Sequence, residues 1–170
     1  MNIVGLMRAL RRATMLPALA FCVATVMPTV SQAQIVEWRG SAFLYNFTDA
    51  CAVMGYPVGG RMRVYARLRP SGIGDNGPAT RLSFFDRDYV SSFVLENGRF
   101  TTSLRSVRAG GLDTDYYPWP GPTQVRVSSQ TPGNGSLRAN TQHIYMVGEI
   151  LGIEAVADCS YSFYAAMLSR

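Results

Sequence analysis

The fold class is decided by the stretch Arg61-Met62-Arg63-Val64-Tyr65-Ala66-Arg67-Leu68-Arg69. Its apolar side chains, from Met62 to Leu68, occupy every second position, and the arginines and Tyr65 occupy the positions between them. Successive side chains of a β-strand point to opposite faces, so this alternation predicts a half-buried strand with an arginine-rich outer face. Pro70 and a glycine-rich segment then end the strand.

The same period of two recurs along the chain, whereas long helical patterns do not. Further strands are predicted at residues 35–47, 81–85, 90–96, 99–107, 123–129 and 136–147. Between Ile153 and Phe163 apolar residues again alternate, which predicts a strand with Cys159 pointing inward, and 164–168 is either part of it or a short helix. About seven or eight strands separated by turn signals predict an all-β fold, an antiparallel β-sandwich or a small barrel.

One hairpin is predicted in detail. The pair Asn97-Gly98 suits a two-residue type I′ turn, because both of its positions need a positive φ angle. Such a turn would place Leu95 opposite Phe100 and Phe93 opposite Thr102.

The first 33 residues have the pattern of a secretory signal peptide. Arg8, Arg11 and Arg12 precede an uncharged apolar run, and Ser31-Gln32-Ala33 supplies small residues before a cut after Ala33. The sequence therefore predicts a signal peptide at 1–33 and a single all-β domain at 34–170. The mature domain is expected in the periplasm or outside the cell.

Two other interpretations of this segment are weaker. A lipoprotein cut before Cys22 normally needs a small preceding residue, and Phe21 is large. An uncleaved membrane anchor is disfavoured because the apolar run is marginal in length and contains Pro17 and Pro28. No comparable run follows, so no helical membrane span is expected after signal removal.

Removal of this segment changes the charge and the cysteine count. The whole chain has a formal net charge of +5, but three arginines leave with the signal, and 13 basic residues then oppose 11 acidic ones. The resulting charge of +2 argues against a nucleic-acid partner on electrostatic grounds. Cys51 and Cys159 are the two cysteines that remain, and in an oxidising compartment they are expected to form a disulfide.

Motifs for catalysis are scarce. His143 is the only histidine, so a zinc site built from several histidines is impossible, and the sequence has no Gly-x-Ser-x-Gly elbow. No cofactor, metal site or catalytic residue is predicted, and Asp113 and Asp115 are interpreted as part of a solvated turn. The sequence leaves open whether two carboxylates form a catalytic pair as in glycosidases, because the spacing of two residues in sequence does not fix their distance in space.

Two groups of residues are candidates for ligand binding. Tyr116, Tyr117 and Trp119 lie among prolines in a stiff loop that can contact a sugar ring or a protein, although such aromatics also often cap a core. The second group consists of the strand arginines, whose like charges repel unless they are neutralised by an anionic ligand or by acids such as Glu154 and Asp158. This second group is Arg61, Arg63, Arg67 and Arg69.

These observations favour an exported, non-catalytic binding or envelope-associated module. The expected partner is a glycan, an anionic envelope polymer or another envelope protein. The alternative is a carboxylate-based hydrolase acting on cell-wall or extracellular polymer. It would require two of several carboxylates to face each other across a cleft. Those carboxylates are Asp86, Asp88, Asp113, Asp115, Glu149 and Glu154.

Overall fold

A computed structural model describes residues 34–111, 118–154 and 156–170. These residues form eight β-strands joined in an antiparallel sheet, which confirms the all-β prediction. The strands are β1 (Trp38–Tyr45), β2 (Arg61–Arg69), β3 (Thr80–Phe85), β4 (Val90–Leu95), β5 (Arg105–Gly110), β6 (Thr123–Thr131), β7 (His143–Ile153) and β8 (Val156–Ser169). The signal segment predicted at 1–33 lies outside the described residues.

Each strand pairs with its neighbour in sequence, and β8 pairs with β1, so the sheet closes on itself. The closing pair is in register from Trp38 opposite Ser169 to Tyr45 opposite Ser162. Gly40 permits a close approach here, because a Cβ atom at this position would overlap the carbonyl oxygen of Ala166. The first and last strands therefore meet without a free edge.

The inner face of the closed sheet is filled by large apolar side chains. Trp38, Phe84 and Phe163 are completely buried, and the rings of Phe84 and Phe163 lie 5.2 Å apart. The indole Nε1 of Trp38 donates a hydrogen bond to the carbonyl oxygen of Thr141 at 2.8 Å, so its one polar atom is satisfied. Packing of this kind holds the outward side chains on a rigid support.

The alternation that predicted β2 is confirmed, and the alternation predicted between Ile153 and Phe163 is confirmed from Cys159 onward. Its start is wrong, because Ile153 ends β7, Glu154 lies in the following turn and Ala157 is exposed. In β2, Val64, Ala66 and Leu68 are buried, and the residues between them are exposed or half-buried. In β8, Cys159 is buried and points inward as predicted. The strand continues to Ser169, so the short helix considered for 164–168 is not formed.

The predicted Asn97-Gly98 hairpin is wrong. β4 ends at Leu95 and β5 begins only at Arg105, so Phe93 pairs with Ala109 and not with Thr102. The hydroxyl groups of Ser71 and Thr80 both donate to the carbonyl oxygen of Gly98, and Phe100 is buried in the core. These contacts hold the segment as a long connection, which the local turn preference alone does not reveal.

The seventh strand also begins later than predicted. Residues Asn134–Ser136 form a short 3₁₀ helix, and β7 runs from His143 to Ile153 in place of 136–147. A second 3₁₀ helix covers Asp49–Met54. Within the described part of the chain, no helix is long and apolar enough to cross a membrane.

The predicted disulfide between Cys51 and Cys159 is present. It joins the 3₁₀ helix after β1 to β8 across 108 residues of sequence, with the two Cα atoms 4.7 Å apart. Thr48 supports the same junction, because its hydroxyl donates to the carbonyl oxygen of Asp158 at 2.8 Å and accepts from the amide of Ser160 at 3.0 Å. The bridge thus lies at one end of the β1–β8 pair.

We predict that Gly40→Ala destabilises the protein by about 3 kcal/mol or more, because the new methyl group forces β1 away from β8. The measurement is the free energy of unfolding in urea. Gly133→Ala is the matched control, since nothing lies within 4 Å of a Cβ atom there and its φ is −59°. Equal stabilities for the two variants would show that close approach at Gly40 is unimportant.

We also predict that breaking the Cys51–Cys159 bridge lowers stability by about 2–5 kcal/mol, because the unfolded chain regains the freedom of a long loop. Unfolding is followed in guanidinium chloride with and without a phosphine reductant. The double variant Cys51→Ala/Cys159→Ala is the control, and the reductant should not affect it. Identical unfolding midpoints for the oxidised and reduced wild-type protein would contradict the prediction.

Candidate arginine-rich binding face

The outer face of β2 carries the four arginines that the sequence suggested as binding residues. Arg61 and Arg63 are exposed, and Arg67 and Arg69 are half-buried. All four point away from the core because they alternate with the inward residues of the strand. The closed sheet thus presents them as one row, which we call the arginine face.

Neighbouring strands add two arginines that the sequence analysis did not select. Arg39 of β1 lies directly opposite Arg67, and Arg81 of β3 lies directly opposite Arg69. Like charges placed directly opposite each other on adjacent strands destabilise a sheet. These four residues, the arginine cluster, therefore need negative charge nearby.

Part of that charge comes from Glu37, which immediately precedes β1. Its carboxylate is buried and forms salt bridges with Arg39 and with Nε of Arg69, the latter at 2.6 Å. Glu154 and Asp158, the acids suggested by the sequence, form no salt bridge with the cluster within the described residues. One carboxylate thus faces four guanidinium groups.

The protonation of Glu37 reflects this excess of positive charge. Burial alone would raise the pKa of its carboxyl group, but hydrogen bonds and charges from Arg69 and then Arg39 outweigh burial, and the pKa is lowered. Glu37 is therefore ionised at neutral pH and is already shared between two arginines.

Arg67 and Arg81 form no salt bridge within the described part of the chain, and Arg67 is the one of the two with a buried nitrogen that lacks a hydrogen-bond partner. Its Nε is shielded from solvent and has no hydrogen-bond partner, and no described carboxylate lies within salt-bridge distance of its guanidinium group. Burial lowers the pKa of Arg67, and the positive charges of Arg69, Arg39 and Arg81 lower it further, against the opposing effect of Glu37. Arg126 also has an unpartnered Nε, but its terminal nitrogen pairs with Glu149 at 2.8 Å.

An open groove of about 500 Å³ lies beside the cluster. Arg39 lines one part of it, and Tyr65 and Phe85 line another. Tyr65 is 59% exposed, and its ring stacks on that of Phe85 with centroids 5.7 Å apart and planes inclined by 26°. Positive charge and a flat aromatic surface therefore adjoin each other.

More exposed apolar side chains lie on the adjoining strands. Phe43 of β1 lies opposite Tyr164 of β8, and each is 41% exposed. Both line a second groove, of about 430 Å³, together with Arg61. Exposed aromatic residues beside charged ones are typical of interaction surfaces.

The aromatic loop proposed as a second binding region is described only in part. Tyr116 and Tyr117 lie outside the described residues, as do Asp113 and Asp115. Trp119 is half-buried, its ring packs edge-on against that of Phe93 at 5.6 Å, and its amide donates to the carbonyl oxygen of Ala109. This indole lies against the core, and a ligand-binding role for the loop stays a prediction.

A separate pocket of about 360 Å³ brings together three carboxylates named for the hydrolase alternative. Asp86, Asp88 and Glu154 line it with Tyr56 and Tyr89. The hydroxyl of Tyr56 donates to Glu154 at 3.3 Å, and burial, followed by the charges of Tyr89 and Glu154, raises its pKa far above the usual value. This tyrosine thus stays protonated and serves as a hydrogen-bond donor.

The described residues offer little for metal binding. They contain no group of three or more histidine, cysteine, aspartate or glutamate side chains able to hold a metal ion. His143 is exposed at the start of β7, with its ring 5.5 Å from that of Tyr145.

Comparison of the chain with protein-family models, with curated proteins and with solved structures finds no match.

Sequence reasoning missed Glu37, Arg39, Arg81 and the aromatic pair formed by Tyr65 and Phe85. These residues come from three strands and the segment before the first, so they meet only when the register of β1, β2 and β3 is known. The one available signal was the outward position of Arg39 and Arg81 in predicted strands. An outward position tells on which face of the sheet a residue lies, but it does not tell which residues of other strands lie beside it.

We predict that Glu37→Gln lowers stability at neutral pH by about 1–3 kcal/mol, because two arginines lose a charged hydrogen-bond acceptor. A carboxyl group with a lowered pKa stabilises the folded state above its usual pKa of 4.5, and this contribution is lost as the pH falls through the folded-state value. The difference between wild type and variant should therefore shrink in acid. Chemical denaturation across the pH range measures it.

The control for this experiment is Glu96→Gln. Glu96 pairs with Arg108 on the surface, where both side chains are about half exposed, and such a pair adds little stability. A stability difference between wild type and Glu37→Gln that stays constant down to strongly acidic pH would contradict the assignment.

Proposed function

We propose that the protein is an exported, non-catalytic binding module of the cell envelope or the extracellular space, and that its arginine face binds an anionic polymer. The observation that carries this proposal is the arginine cluster, in which four arginines lie together and the one described carboxylate that forms salt bridges with them, Glu37, binds only Arg39 and Arg69. An anionic ligand would supply the missing charge. Binding would then relieve a repulsion that the free protein carries.

Export is supported by two separate features. The segment 1–33 has the basic, apolar and small-residue order of a cleavable signal peptide. The bridge between Cys51 and Cys159 fits an oxidising compartment, because disulfides persist in the periplasm and outside the cell. A periplasmic or extracellular location would bring the arginine face into contact with envelope and matrix polymers.

The chemistry of recognition follows from the guanidinium group. Arginine presents a planar set of donors that matches carboxylate, sulfate or phosphate oxygens, and it keeps its charge at every physiological pH. The arginines from Arg61 to Arg69 extend over about 26 Å of β2, at roughly 3.3 Å per residue. A linear polymer is the ligand that can contact such a row at several points at once.

A second candidate function rests on the acidic pocket. Asp86, Asp88 and Glu154 share this pocket, and a hydrolase of the two-carboxylate type needs such a pair. Glu149, another candidate for that role, is paired with Arg126. The arginine face accounts for more of the unusual charge arrangement, so binding is the primary proposal.

The test measures binding of the mature protein to polygalacturonate and to polyphosphate at low and high salt. We expect binding to at least one of them, weakened by salt because released counter-ions contribute to affinity. The double variant Arg67→Gln/Arg81→Gln should bind about tenfold more weakly, since two charge-assisted contacts are lost.

The matched control is Arg87→Gln/Arg105→Gln, which removes the same charge from exposed positions away from the cluster. No binding to either polymer, or equal weakening by both double variants, would overturn the proposal. Release of shortened polymer that is abolished by Glu154→Gln would favour the hydrolase instead.

A further inference from the structure

The groove beside the arginine cluster combines two kinds of contact that few ligands satisfy together. On one side Arg39 lines the groove, and Arg67 lies directly opposite Arg39 in the β1–β2 pair. On the other side the exposed ring of Tyr65 stacks on Phe85. Tyr65 is two residues before Arg67 on the same strand, so the Cα atoms of the two residues are about 7 Å apart and both side chains lie on the outer face.

From this juxtaposition we infer that the ligand of the arginine face is an acidic polysaccharide, with a sugar ring on Tyr65 and the acidic group of that sugar or its neighbour on Arg39 and Arg67. The inference rests on the proposed function and deepens it, because it names the class of anionic polymer. Inorganic anions and polyphosphate satisfy the arginines but offer no apolar face to an exposed aromatic ring.

The shape of the groove supports a ring-shaped ligand. Gly40 and Ser41 of β1 and Ala66 of β2 contribute small residues to its lining. Leu168, Ser169 and Arg170 line it as well, and the space enclosed is about 500 Å³. A pyranose ring has a flat face of C–H groups that packs on an aromatic ring, and Tyr65 is held by Phe85 and loses little freedom on binding. The groove is thus open where a sugar would lie.

The arginines beside the groove provide the contacts for the acidic group of the sugar. Glu37 is bound to Arg39 and Arg69. Arg39 lines the groove, and Arg67, which lies directly opposite Arg39, forms no salt bridge among the described residues. The Nε of Arg67 is a buried donor without an acceptor among the described residues. A sugar carboxylate or sulfate supplies two oxygens in the planar arrangement that a guanidinium group binds best.

The deciding experiment compares polygalacturonate with poly-L-glutamate, because both carry one carboxylate per unit and only the first has sugar rings. Binding to the full mature protein is measured by calorimetry at low salt, with neutral dextran and vesicles of anionic phospholipid as further probes. We expect polygalacturonate to bind more tightly than poly-L-glutamate. Tyr65→Ala should weaken binding of polygalacturonate about two- to tenfold and leave binding of poly-L-glutamate unchanged.

Two variants serve as controls. Tyr65→Phe keeps the ring and should retain the affinity for polygalacturonate. Tyr145→Ala removes an exposed tyrosine from β7, three strands away from β2, and should have no effect. Thermal unfolding of each variant separates loss of binding from loss of fold.

The outcomes distinguish this inference from the proposed function. If both polymers bind equally and Tyr65→Ala weakens neither, sugar recognition is wrong while anion binding stands. If no anionic polymer binds, both are wrong. Tighter binding to the anionic vesicles than to polygalacturonate would overturn the polysaccharide assignment in favour of a membrane surface, and binding to dextran would show that charge is not required.

Discussion

The pairing of β1 with β8 is the interaction on which the rest of the structure depends. It joins the two ends of the described chain into one closed sheet and places Arg39, on the first strand, between β8 and β2. Gly40 makes the pairing possible at its tightest point, and the Thr48 hydroxyl and the disulfide hold the adjoining end. Without closure, β1 would be an edge strand, and the groove beside the arginine cluster would lose Leu168 and Ser169, the residues of β8 that line it.

Closure also explains why the outer face can carry so much unbalanced charge. The interior is packed with apolar side chains such as Trp38, Phe84 and Phe163, and this core supplies the stability that four close guanidinium groups reduce. Proteins commonly hold unfavourable local arrangements at functional sites when the surrounding structure is rigid enough to enforce them. The arginine cluster is an unfavourable charge arrangement that Glu37 partly relieves, and this supports the binding role that we propose for it.

The sequence predicted what depends on local periodicity and failed where long-range contacts decide. Alternation from Met62 to Leu68 was sufficient to predict β2, its inward residues and its arginine face, because one side of the strand had to be apolar. The Asn97-Gly98 hairpin was predicted from the local turn preference and was wrong. The hydroxyl groups of Ser71 and Thr80 donate hydrogen bonds to the carbonyl oxygen of Gly98, and these long-range contacts hold the segment as part of a longer connection. The partner of the arginines was missed for a similar reason, since Glu37 reaches Arg69 only through the β1–β2 register.

The disulfide has one further consequence, which concerns cleavage of the chain by a protease. Cys51 and Cys159 enclose the loops between β2 and β8, including the exposed residues 101–104 and 138–140. A protease that cuts once within any of these loops produces two pieces that stay covalently joined, with β1 still hydrogen-bonded to both β2 and β8. The molecule therefore tolerates a nick without dissociating, and the arginines of β1 and β2 keep their places beside each other.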